Sequence, residues 1–266
     1  MTIIRRTVRR WVALAVTGLL AVAGCALLPP EPVPLVPFTD FSITTTGGIA
    51  GIYRELRISA DGDVLVLSDD PRVGRIGRAT LDRLRTLLES EGLRRDVARL
   101  RDDRSESRCS DAFQTTLRMG ELVATGTDTC GLVPTPALDE LDVIVQPFWK
   151  GFFEEPLPEG PRPPRIVVQA VQSGQPTPTR IELEGDRATL FSSGTKPDTS
   201  VLDPELLAVL QVLAAAPPCR PDHELDDGYR IRIGDQPPSP VIGGRPGRTC
   251  PELSTIAAIA LDAVDA

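Results

Sequence analysis

Histidine, lysine and aromatic residues are scarce in this chain. Its 266 residues include 1 His, 2 Lys, 2 Met and 11 aromatics. One histidine excludes a His-built zinc site or a His-rich active centre. Positive charge is also short: 29 Lys+Arg stand against 37 Asp+Glu, a net charge of −8. A nucleic-acid binder needs clustered positive charge to displace phosphate counterions, so no nucleic-acid partner is expected. The apolar stretch Trp11–Gly24 has 14 residues, short of the about 20 that span a bilayer. None of the 5 cysteines stands in a CxxC pair. Hydrophobic residues make up 41% and charged residues 25%, which is the composition of a folded chain rather than a disordered one.

The N-terminus reads as an address. Arg5, Arg6, Arg9 and Arg10 precede the apolar stretch, a basic region followed by a secretory core. The stretch ends in Val22-Ala23-Gly24-Cys25. These residues resemble the lipobox of bacterial lipoproteins: a branched apolar residue, two small residues and a cysteine. The resemblance implies that residues 1–24 are a signal peptide. It also implies that Cys25 becomes the acylated, palmitate-bearing N-terminus on the outer face of the cell membrane. The export route, general secretory or twin-arginine, stays open. Removal of four arginines would leave 25 basic and 37 acidic groups, a net of −12. That field repels anionic headgroups, so the membrane partner is reached through the lipid alone. Residues 25–40 follow, with prolines at 29, 30, 32, 34 and 37. Such a segment favours polyproline II at about 3.1 Å per residue, a semi-rigid stalk of up to roughly 45 Å.

The remainder reads as two copies of one unit, residues 41–153 and 166–266. A second proline-rich linker, 154–165, joins them. In the first copy, Ile52, Leu56 and Ile58 share one face of a strand. Asp61-Gly62 predicts a two-residue hairpin turn, and Val64–Leu67 is the partner strand. The second copy has Arg180–Leu183, a turn at Gly185-Asp186, and Ala188–Phe191. Each copy then has an amphipathic helix, through Leu81, Leu84, Leu87 and Leu88, and through Leu206, Leu207, Leu210 and Leu213. Asp203-Pro204 and Thr135-Pro136 are caps followed by proline at the first helical position. The stretch around Glu91–Ser107 is extra in the first copy and reads as an extension of its helix. Phe113, Thr115, Leu117 and Met119 alternate as in a strand, matched by Tyr229–Ile233. A last helix closes each copy, through Leu138, Leu141 and Val145, and through Leu253, Ile256, Ile259 and Val264. The expected fold is α+β: two tandem similar domains, each an antiparallel sheet with two helices and one disulfide.

Cys25 aside, four cysteines remain, an even number that suits disulfides outside the cytoplasm. Three pairings are possible. The repeat selects Cys109–Cys130 and Cys219–Cys250. No metal site and no cofactor is expected.

No catalytic constellation emerges. His223 lies among Asp222, Glu224, Asp226 and Asp227, a setting for a general base, but no nucleophile motif accompanies it, so a solvated loop is the expectation. The same acids fail the calcium-loop pattern, which wants Gly sixth and Glu twelfth. Asp227 and Ile233 stand there. Gly47-Gly48-Ile49-Ala50-Gly51 lacks both the Gly-Lys-Ser/Thr and the helix of a phosphate loop. It reads as a glycine-rich hairpin turn, or as a surface that a partner's backbone approaches closely. Residues 41–88, with this motif, a hairpin and a leucine-rich helix, resemble the emfourin-type inhibitors of thermolysin-like metallopeptidases. The resemblance implies a small α/β inhibitor of a secreted peptidase acting through the first copy, and Gly47, Gly48, Ile49, Ala50 and Gly51 are the candidate partner-binding residues. Phe148–Phe153 holds four of the eleven aromatics. It reads as packing at a domain end, with an exposed binding hot spot as the alternative. The functional expectation is a non-enzymatic lipoprotein that binds a partner in the cell envelope, with peptidase inhibition as the alternative.

Overall fold

A computed structural model describes residues 38–47, 51–102, 113–120, 122–127, 135–158, 160–216, 219, 225–243 and 249–265. Residues 36–266 form one compact unit. It is α+β, with two fully antiparallel sheets and five helices among the described residues.

The first sheet contains β1 (Asp40–Gly47), β2 (Ile52–Ser59), β3 (Asp63–Leu67), β4 (Arg72–Arg75), β5 (Phe113–Met119) and β6 (Leu122–Thr127). Their spatial order is β4-β3-β2-β1-β5-β6. The second contains β7 (Ile166–Gln172), β8 (Gln175–Glu184), β9 (Arg187–Phe191), β10 (Asp198–Val201) and β11 (Gly228–Ile233), in the order β10-β9-β8-β7-β11. The strand orders correspond over five positions. Ile242 forms an antiparallel bridge to Tyr229, beside β11 where β6 lies beside β5.

The turns differ in detail from expectation. Ala60, Asp61 and Gly62 form a three-residue loop, with the Gly62 N–H donating to the Ser59 carbonyl at 3.0 Å. Of the expected pair only Gly62 has a positive φ, 88°, which places glycine at the left-handed position of a longer hairpin loop. At Ser173-Gly174 both central residues have positive φ, 51° and 74°. The non-glycine Ser173 is held there by Asp227, whose Oδ1 accepts its N–H at 2.7 Å.

Three helices cover one face of the first sheet. In α1 (Arg78–Leu88) the buried residues are Leu81, Leu84, Leu87 and Leu88, the four with helical spacing. Glu154 accepts from the Gly77 N–H and the Thr80 hydroxyl, both at 2.6 Å, and so caps this helix from the segment that follows α3. The residues read as an extension form instead a separate helix, α2 (Glu91–Asp102). The chain breaks at Ser90, whose hydroxyl accepts from the Leu93 N–H as a new cap. Helix α3 (Pro136–Trp149) starts at the expected Thr135-Pro136 and buries Leu141, Ile144, Val145 and Phe148. Among the described residues the first half thus has three helices, not two.

Two helices come from the second half. Helix α4 (Pro204–Ala214) is capped by Asp203 with proline next to it, and it runs beside β4 of the first sheet. Helix α5 (Pro251–Asp265) touches β3 of the first sheet and β8–β11 of the second. It is buried on several sides: Ser254, Thr255, Ala257 and Ala260 join Ile256 and Ile259. A helix between two layers needs apolar or small residues around most of its circumference.

Strand β3 carries both cores. Val64 and Val66 belong to the cluster with α1–α3, and Leu65 and Leu67 to the cluster with sheet two, α4 and α5. An unbroken apolar run is what a strand covered on both faces requires. The layers therefore alternate as helices, sheet, helices, sheet.

Phe148 and Phe153 stack with ring centroids 6.5 Å apart. Phe153 lies over Gly74, where an added Cβ would come within 2.2 Å of its ring. Phe148 is buried, while Phe152 is 67% exposed. Glu155 then bridges Arg75, extending the edge of the first sheet.

Candidate functional site

The face of the first sheet turned toward α4 and α5 is apolar at β3 and polar at β1, β2 and β5. Period-two alternation produces this. In β1, Phe41 and Ile43 join the core with α1–α3, so Ser42, Thr44 and Thr46 point the other way. The register then places three rows on this face. Thr46 pairs with Tyr53 and Gln114, Thr44 with Glu55 and Thr116, and Ser42 with Arg57 and Arg118. These residues floor a cavity of about 870 Å³, walled in part by Leu157, Val212 and Pro251.

The β2 row members are linked. The Tyr53 hydroxyl donates to Glu55 Oε2 at 2.5 Å. Arg57 clamps the same carboxylate with Nε and Nη2, at 2.8 and 2.9 Å, and reaches Glu252 of α5 with Nη1 at 2.5 Å. The Glu55 side chain is 9% exposed, so this clamp balances a nearly buried charge. Burial and the adjacent Glu55 push the Tyr53 hydroxyl well above the usual phenol range. Burial opposes the charge on Arg57, but Glu55 and Glu252 outweigh it and hold the guanidinium above its ordinary value. The network is a fixed wall rather than a proton-transfer pair. Arg118, on β5, has no ion pair among the described residues.

Of the glycine-rich motif, Gly47 and Gly51 flank the β1–β2 hairpin tip, with φ of 129° and 62°. Gly51 is exposed, and open space surrounds it. Gly48, Ile49 and Ala50 lie outside the described residues. Ile52, expected on the buried face, is 43% exposed because it adjoins the tip. Cys219 and Cys250 form a disulfide, their Cα atoms 5.4 Å apart. Cys25, Cys109, Cys130 and His223 lie outside the described residues. Among the described residues no group of three His, Cys, Asp or Glu is placed to hold a metal ion. No helix among them is long and apolar enough to cross a membrane.

The chain matches no protein-family model, no curated protein and no solved structure.

Sequence reasoning missed the cavity. Its one local signal was the β2 alternation of Tyr53, Glu55 and Arg57 with apolar neighbours, beside a β3 with no polar face. Together these say that the reverse side of the sheet is covered at β3 and that its polar part lines the half-open space beside that cover.

Proposed function

We propose that this chain is a lipid-anchored bacterial protein outside the cytoplasm, without enzymatic activity, that binds a partner in the cell envelope. The cavity floored by Thr44, Thr116 and Arg118 is the observation that carries the binding reading: about 870 Å³ falls in the range of small-molecule sites. The anchor reading rests on the resemblance of Val22–Cys25 to a lipobox, with residues 25–40 as the stalk. The two halves are tandem copies of one unit, a reading supported by their matching strand order. By that correspondence Cys109 pairs with Cys130 as Cys219 pairs with Cys250.

Two measurements test this. Metabolic labelling with palmitate should mark the wild type and not Cys25→Ser; equal labelling of both overturns the anchor. Residues 25–266 carrying Cys25→Ser should retain an envelope component that the same chain with Thr44→Arg, which projects a bulky cation from the cavity floor, does not. Equal retention overturns the cavity as the binding site.

The alternative, inhibition of a thermolysin-like metallopeptidase, is favoured by the exposed Gly51 at the β1–β2 tip. Micromolar protein should then slow thermolysin, and Gly51→Val should weaken the effect. Undiminished thermolysin activity rejects it.

A further inference from the structure

The floor of the cavity selects a class of ligand. On its β2 side, Tyr53, Glu55 and Arg57 bond one another and Glu252. The β1 and β5 side presents hydroxyls at Ser42, Thr44 and Thr116, the last already 3.2 Å from the Thr125 hydroxyl of β6 and left with one further bond to make, the Gln114 amide, and the guanidinium of Arg118. Hydroxyls and amides donate and accept, whereas phosphate and carboxylate only accept. Two carboxylates, Glu55 and Glu252, face the single guanidinium of Arg57. Arg118 offsets that pair, but Asp40 and Asp63 also line the cavity, so its lining holds three carboxylates against two guanidiniums, an excess of negative charge that disfavours an anion. A ligand rich in neutral hydroxyls meets neither obstacle, because each can donate to one threonine and accept from the next. Directly paired strand residues stand about 5 Å apart on one face, so a ligand hydroxyl lying between two of them is within hydrogen-bond reach of both. Leu157, Val212 and Pro251 provide apolar wall for the C–H faces of such a ring.

We infer that the cavity binds a short neutral saccharide, its hydroxyls on Ser42, Thr44, Gln114 and Thr116 and one end on Arg118. The volume accommodates about two or three sugar rings. This assignment rests on the cavity being the binding site proposed above, and it narrows the partner to one chemistry.

Saturation-transfer NMR on residues 25–266 carrying Cys25→Ser, with cellotriose, maltotriose and chitotriose at millimolar concentration, tests it. At least one trisaccharide should bind. The double variant Thr44→Val, Thr116→Val removes two hydroxyls while keeping side chains that strands accept, so it should keep its melting temperature. It should lose at least about tenfold in affinity, the worth of one to two hydrogen bonds. Arg118→Met, which keeps the apolar stem, should weaken binding less. Silence from all three sugars, binding indifferent to the double variant, or preferential binding of inorganic phosphate or citrate overturns the saccharide. If the sugars are silent while Thr44→Arg still abolishes retention of an envelope component, the binding site stands and only its ligand class falls.

Discussion

Arg57 on β2 and Glu252 on α5 meet at 2.5 Å across 195 positions of the chain. The contact ties the polar wall of the cavity to the helix that begins immediately after Cys250. Glu55 completes it, since its carboxylate takes two bonds from the same guanidinium. Arg57→Met should lower stability by about 2–3 kcal/mol, below the full cost for a buried pair because a third of the Arg57 side chain reaches solvent. Glu252→Gln retains an acceptor and should cost about 1 kcal/mol. Urea unfolding measures both. Equal costs would mean that the unpaired Glu55 charge is not the dominant penalty.

Tyr53 should resist ionisation. Its pKa is raised in the folded state, first by burial and then by Glu55. The associated stability is fully present below the ordinary phenol value of about 10 and falls as pH rises beyond it. In a Tyr229→Phe background, ultraviolet titration should show no reversible tyrosinate below the alkaline unfolding transition. A reversible step near the ordinary value would show that the Tyr53 ring is solvated.

Gly74 and Phe153 should be coupled. A methyl group at position 74 would collide with the Phe153 ring, so Gly74→Ala should cost about 1–3 kcal/mol through overpacking. Phe153→Ala should remove part of that penalty, and the double variant should be more stable than the sum of the singles indicates. Thermal denaturation of the four proteins closes the cycle. Strict additivity would place the ring elsewhere in solution.

The Cys219–Cys250 bond closes a loop of 31 residues. Restricting the unfolded chain over that length contributes about 3–4 kcal/mol. Replacing both cysteines by serine should therefore lower the urea midpoint with the native fold retained by circular dichroism. An unchanged midpoint would mean that the unfolded chain gains little freedom from the loss.

Local rules reach the helices well. The Leu81–Leu88 face, Thr135-Pro136 and Asp203-Pro204 each depend on residues within one turn, and each lies where such rules put it. The break at Ser90 was also local: a serine before Glu91 is a cap signal, outweighed by apparent continuity of the helix. The cavity depends on other scales. Tyr53, Glu55 and Arg57 carry the alternation of a solvent-facing strand face. Residues far along the chain turn that face inward, among them Val212, Pro251 and Glu252, the last 195 positions from Arg57. The Glu154 cap on α1 spans 77 positions to Gly77 and is invisible to nearest-neighbour patterns for the same reason.

Strand β3 divides its side chains between two cores, Val64 and Val66 on one side and Leu65 and Leu67 on the other. Severing the chain within residues 157–164 would break a covalent link but leave this non-covalent seam intact. The nicked protein should stay one particle, and its pieces should be insoluble when made apart. Evolution could not shuffle either half into a new protein without repainting that strand first.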